Sequence, residues 1–114
     1  DGETSRDFCF IENTVQANIL AATTDDEAAK NQVYNVAVGD RTTLNDLFKA
    51  IREELNENNV VYNKDALYKD FRAGDVRHSQ ADVSKINKNL SYEGQYNVLQ
   101  GIKEAMPWYI GFLK

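Results

Sequence analysis

One cysteine, one histidine and one proline occur in 114 residues, and each scarcity excludes a class of structure. Cys9 alone makes no internal disulfide and no cysteine-based metal site, so the chain suits a reducing compartment, the cytoplasm. His78 alone leaves no histidine pair for a metal helix, and nothing around it reads as a nucleophile elbow. The six glycines nowhere form Gly-x-Gly-x-x-Gly or a Walker phosphate loop. None of the six tyrosines is followed four positions on by a lysine, so the phenol and ammonium pairing used in hydride chemistry is missing. No stretch approaches the roughly 20 apolar residues that cross a bilayer, and the amino terminus has neither a basic region nor an apolar run, so no membrane partner is expected. Eighteen acids against 13 bases leave a formal charge of −5 with no basic stripe, which argues against nucleic acid.

What is present is a globular composition, 42% hydrophobic and 11% aromatic, in a length that makes one small domain. The chain opens with Asp1-Gly2-Glu3-Thr4-Ser5, a turn-rich start without an initiator methionine, and is expected to be a piece of something longer. Asn89-Leu90-Ser91 matches a glycosylation acceptor formally and reads as a polar turn after a helix.

Phe8 to Ile11 form an apolar run suited to a buried strand. Glu12 or Asn13 then caps a helix with Val15, Ile19 and Ala22 along a narrow apolar face, ending near Thr23 and Thr24. Asp25 to Glu27 lack the alternating ligands and turn glycine of a calcium loop and read as a solvated connector. Residues 33–38, Val-Tyr-Asn-Val-Ala-Val, predict a strand closed by Gly39-Asp40. Thr42 or Thr43 caps a helix with Leu44, Leu47, Phe48, Ile51 and Leu55 on one stripe. The polar segment 56–71 has room for a short strand and a helical turn. Asp82 caps a helix with Val83, Ile86 and Leu90, and a last helix carries Val98, Ile102, Ala105 and Met106, with Pro107 expected to break or bend it. The fold class is α/β, with short strands and about four helices.

Two short words carry the functional signal: Arg6-Asp7-Phe8, and Arg72-Ala73-Gly74-Asp75 in a glycine-containing loop. A guanidinium presents a fork of donors that meets phosphate oxygens in pairs, so two arginines in one cleft would clamp a diphosphate. Surface ion pairs with Asp7 and Asp75 would use the same residues.

The order of motifs resembles a known family. Gly2 to Asn13, with its Arg-Asp-Phe and aromatic run, then Tyr34-Asn35-Val36-Ala37-Val38-Gly39 with Thr43-Leu44, then residues 72–79, Arg-Ala-Gly-Asp-Val-Arg-His-Ser, and Ala81 to Lys85 are similar to the C-terminal substrate-binding part of extended short-chain dehydrogenase/reductases. Within that family the likeness is to bacterial UDP-N-acetylglucosamine 4-epimerases of polysaccharide biosynthesis. The resemblance implies that residues 1–114 are a nucleotide-sugar binding lobe, that Arg6 and Arg72 hold a UDP diphosphate, and that Asp75 accepts from ribose hydroxyls. It implies that Ser79, small where other members are bulky, leaves room for the acetamido group of a UDP-N-acetylhexosamine. Glu12 stands where the family has aspartate, and keeps the negative charge near a helix start. The resemblance further implies that an NAD-binding Rossmann domain with its tyrosine and lysine pair lies upstream of Asp1, that the full-length enzyme is a homodimer, and that the isolated chain neither binds NAD nor turns over substrate. A nucleotide-sugar dehydratase or decarboxylase would share the clamp, and a non-catalytic binding module would need none of the missing groups.

Overall fold

The structure, a computed structural model, describes residues 1–113. Its elements run β1 (Ser5–Arg6), α1 (Ile11–Thr23), β2 (Thr42–Thr43), α2 (Leu44–Glu57), α3 (Ser84–Leu90) and α4 (Val98–Leu113). Four helices and two short strands are present, as the fold class expected from sequence has them, but the strands lie elsewhere than expected, are two residues each and pair antiparallel, Ser5 with Thr43 and Arg6 with Thr42. The other edge of β1 is occupied as well: Ser5 N–H donates to the Arg77 carbonyl and Ser79 N–H donates to the Ser5 carbonyl, a parallel bridge. Ser5 therefore lies at the centre of three chain segments and is buried.

Two expected strands are absent. Residues 7–10 remain unpaired and Ile11 already opens α1, because no neighbouring strand offers a ladder to the apolar run Phe8 to Ile11. The 33–38 segment, strand-like by composition, also has no ladder partner. Its groups are met otherwise: Tyr34 O–H donates to the Ala29 carbonyl at 2.7 Å, the Ala37 carbonyl accepts from Tyr92 O–H at 2.8 Å, and Val38 N–H donates to Asp7. Propensity marks an extended backbone here, and pairing depends on a neighbour that the described residues do not supply. Residues 60–72 form neither strand nor helix.

α1 departs from its expected start and its expected face. Phe10 is the flanking residue, without a side-chain cap, and neither Glu12 nor Asn13 caps the helix. Asn13 is fully buried and used across the fold: its Oδ1 accepts from Gln95 N–H at 3.0 Å and Tyr96 N–H at 3.1 Å, and its Nδ2 donates to the Tyr96 carbonyl at 2.8 Å. The Val15 and Ile19 side is exposed; Asn13, Ala17 and Leu20 face the core instead. The small Ala17 lets α3 approach closely, and Ile86, Leu90 and Tyr92 fill the space beside it.

Thr43 caps α2 as expected, its Oγ1 accepting from Asp46 N–H at 3.0 Å, and the helix packs on α4; of the expected stripe Leu47, Phe48 and Leu55 are half-buried, whereas Leu44 and Ile51 are exposed and Ala50 is the buried residue. Asp82 Oδ1 accepts from Ser84 N–H at 2.9 Å, but the residue flanking α3 is Val83, which gives no side-chain cap, so the helix begins one residue later than expected. α4 opens with a reciprocal box, in which Gln100 N–H donates to Asn97 Oδ1 and Asn97 N–H donates to Gln100 Oε1, both at 2.9 Å. Contrary to expectation, this helix continues through Pro107 to Leu113. The ring lies on the exposed side while Met106 is buried, so one lost backbone bond is offset by packing around its neighbours. No helix among the described residues is long and apolar enough to cross a membrane.

The body is a slab, 52 × 35 × 18 Å, with a thin core, so buried polar contacts carry unusual weight. Replacing Asn13 with alanine strands two buried N–H groups and a carbonyl, and should lower stability by about 3 kcal/mol, read as a lower urea midpoint. Burial, with Cys9 and Asp7 nearby, pushes the Tyr92 phenol up to about 12. The folded chain then holds that proton more tightly than the unfolded chain, whose tyrosines ionise at about 10. The resulting stability is complete below that lower value and drains as pH rises toward the upper one. Urea midpoints followed across this alkaline range should fall less steeply for Tyr92→Phe than for the unaltered chain; parallel curves would remove the phenol from the effect.

Candidate functional site

Arg6 and Arg72 meet at one carboxylate. Arg6 is carried by β1, pinned on both edges, and its Nη1 donates to the Ser5 carbonyl at 2.7 Å. Arg72 and Asp75 are the ends of a tight turn closed by Asp75 N–H to the Arg72 carbonyl, with Gly74 at φ +78°. A side chain at Gly74 would be strained in that left-handed conformation, so glycine allows the turn that sets Arg72 against Asp75. Arg6 Nη2 lies 2.5 Å from Asp75 Oδ1 and Arg72 Nη2 lies 3.1 Å from Asp75 Oδ2. Each carboxylate oxygen therefore takes one guanidinium.

The environment of the three groups is graded. The Arg6 and Asp75 side chains are 29% and 22% exposed, whereas that of Arg72 is 85% exposed. The Arg72 hydrogen bond lowers the Asp75 pKa first of all; partial desolvation opposes it, and the charges of both arginines and the Val76 N–H add to the lowering. The Arg6 contact is shorter and more sheltered, so it is the firmer anchor, with Arg72 the arm free to move in water.

Asp7, which the sequence offered as an ion partner for Arg6, does different work. Its carboxylate accepts from Val38 N–H at 3.1 Å, Gly39 N–H at 2.9 Å and Ala81 N–H at 3.3 Å. It thereby fastens the 38–39 turn and the start of the 81–83 segment to the strand that bears Arg6. Of the two ion pairs anticipated for the arginines, only that with Asp75 forms. Ser79 is exposed, and its backbone N–H donates to Ser5, which places it beside the residue preceding Arg6. His78 Nδ1 lies 2.8 Å from Ser5 Oγ.

Beside Arg72 and Asp75 is an open hollow of about 450 Å³, with Leu44, Phe48, Tyr68 and Phe71 among its walls. Tyr68 O–H donates to Asn45 Oδ1 at 2.9 Å, tying the irregular 60–72 segment to the start of α2. Leu44 and Phe48 belong to the stripe that the sequence shows, whereas Tyr68 and Phe71 lie in a segment without periodicity and carry no such signal. Their nearness in the chain to Arg72 was the one available hint. Among the described residues no group of three or more His, Cys, Asp or Glu side chains is arranged to hold a metal ion.

No protein-family model matches the chain. It is 31% identical over 118 residues to the dTDP-glucose 4,6-dehydratase of Haemophilus influenzae, covering 96% of this chain and 34% of that protein. Among solved structures it is similar to the UDP-glucose 4-epimerase of Thermotoga maritima with UDP-glucose, at 34% identity and a TM-score of 0.84, covering 100% of this chain and 34% of that one. It is also similar to the UDP-N-acetylglucosamine 4-epimerase of Methanobrevibacter ruminantium in complex with UDP-N-acetylmuramic acid, at 35% identity and a TM-score of 0.77, covering 98% and 33%. The chain spans about a third of the length of the curated relatives and solved chains that it matches. In sequence and in fold alike, it matches the C-terminal lobe of the nucleotide-sugar epimerases and dehydratases.

Proposed function

We propose that the chain is the nucleotide-sugar binding lobe of an NAD-dependent 4-epimerase that interconverts UDP-N-acetylglucosamine and UDP-N-acetylgalactosamine. The observation that carries this reading is the convergence of Arg6 and Arg72 on one anionic point at the rim of a partly aromatic hollow. Two guanidiniums spaced by a carboxylate are spaced for phosphoryl oxygens, and the hollow beside them offers apolar walls to a base. Asp75 is an acceptor for ribose hydroxyls, and Ser79 is the small residue that admits an acetamido group. Two other proteins support a UDP-sugar ligand: the Thermotoga enzyme with UDP-glucose and the Methanobrevibacter enzyme with an N-acetylated UDP-sugar.

The residues of this chain do not fit NAD. β1 reaches α1 through Asp7 to Phe10, without a glycine, and β2 runs straight into α2, so neither strand-to-helix turn is a cradle for pyrophosphate. In the proposed enzyme NAD is held elsewhere and supplies the hydride chemistry; this lobe binds and orients the nucleotide. The likeness to a dTDP-glucose 4,6-dehydratase favours a second reading, a dehydratase lobe with the same clamp. The two readings predict different products from the full-length enzyme.

UDP titrated calorimetrically into the protein should bind, and Arg6→Gln or Arg72→Gln should each weaken it about tenfold or more, the low end for a charge-assisted hydrogen bond. Unchanged affinity in both variants would end the clamp assignment. In the full-length enzyme, Ser79→Tyr should reduce turnover of UDP-N-acetylglucosamine about tenfold or more while sparing UDP-glucose, as expected for filling a pocket. Equal loss with both sugars would refute the role of Ser79, and formation of a 4-keto-6-deoxy sugar in place of the 4-epimer would favour the dehydratase.

A further inference from the structure

We propose that Asp75 is an internal competitor for the diphosphate clamp, and that this competition makes it a specificity determinant that disfavours bare anions. The inference rests on the diphosphate-binding reading of Arg6 and Arg72. Its basis is the division of one carboxylate between two arginines from distant parts of the chain: Oδ1 to Arg6 at 2.5 Å and Oδ2 to Arg72 at 3.1 Å. Two oxygens on one centre, each met by a guanidinium Nη2, is the arrangement that a phosphoryl group adopts with the same side chains. A phosphate that takes the donors now engaged by Asp75 must displace it from at least one arginine.

The exposures indicate how this happens. Arg6 and Asp75 are the sheltered pair, and Arg72 is nearly free in water on its far side. Exchange begins at Arg72, the longer and more exposed contact, and leaves Asp75 with part of its charge uncompensated beside a dianion. An ionised carboxylate only accepts hydrogen bonds, so it needs donors from the ligand to restore its balance. Inorganic pyrophosphate brings phosphoryl oxygens and no ribose hydroxyls. A nucleoside diphosphate with ribose hydroxyls next to its phosphates brings both. Asp75 thus penalises the first ligand and is compensated by the second, and preference between them arises at one side chain.

Calorimetric titrations of inorganic pyrophosphate and of UDP into the protein, Asp75→Asn and Asp75→Ala, at one fixed low ionic strength, test this. The Asp75→Asn variant keeps a side-chain oxygen for the Val76 N–H, which Asp75 Oδ1 accepts at 3.0 Å, so the turn should survive. Pyrophosphate should bind both variants about tenfold more tightly, as expected for releasing a charge-assisted contact. UDP should gain less or lose affinity, so that its margin over pyrophosphate narrows about tenfold. Asp65→Asn, which removes an exposed acid of the 60–72 segment outside the hollow, controls for net charge and should change pyrophosphate affinity little. Unchanged or weaker pyrophosphate binding in both Asp75 variants overturns the proposal, as does an equal gain in Asp65→Asn. UDP binding by the unaltered protein tests the clamp reading separately: its failure would remove the nucleotide ligand, while the pyrophosphate comparison would still decide whether Asp75 competes for the arginines.

Discussion

The arrangement depends on a three-residue strip, Ser5 to Asp7, that is pinned from both sides. Ser5 exchanges backbone hydrogen bonds with the 77–79 segment on one edge and pairs with Thr43 on the other. Asp7 then gathers three backbone N–H groups from two further segments. A two-residue strand has almost no intrinsic stability, since an isolated hairpin is marginal in water. Here the carboxylate supplies what the missing ladder does not, and a charge-assisted bond to a backbone N–H is stronger than a neutral one. With the strip fixed, Arg6 is aimed and the 72–79 segment is held beside it.

This explains why the site is a mixture of rigid and loose parts. Arg6 grows from the pinned strip, whereas Arg72 grows from a turn whose only regular feature is the bond between its own ends and the left-handed Gly74. The hollow wall is likewise split: Leu44 and Phe48 come from α2, and Tyr68 and Phe71 come from an irregular segment that Tyr68 ties to Asn45. A binding surface built half on a scaffold and half on a loop can close around a ligand without moving the anchored arginine.

Residues whose role is local were legible in the sequence, and residues whose role is tertiary were not. Thr43 caps α2 because a hydroxyl ahead of an apolar stripe suffices to define a helix start, and the Leu44 to Leu55 stripe needs only its period. Asn13 has the chemistry of a cap as well, yet its amide is spent on Gln95 and Tyr96, far along the chain, and Phe10 begins the helix instead. The 33–38 segment has strand composition with no strand beside it, and composition does not report the neighbour. Pro107 obeys its local rule at one hydrogen bond and is overruled by the packing of Met106. At the site, the structure brings the two arginine words together, but spacing did not reveal that they share a single acid, nor that Asp7 serves the backbone.

The same distinction bears on how a thin body holds a charged site. In a slab 18 Å deep, few side chains are far enough from water to be buried, and the core cluster is small, centred on Ile86 and Tyr92. Hydrophobic burial alone therefore fixes the helices only loosely relative to the strip, and polar bonds between distant segments set the register: Asn13 to the α3–α4 connection, Tyr92 to Ala37, Asp7 to two loops. Such bonds are directional and fail by distance, unlike burial, which is proportional to area. Geometry at the arginines is consequently governed by polar contacts well away from them, and a change at Asp7 would reach Arg6 through the strip without touching any ligand.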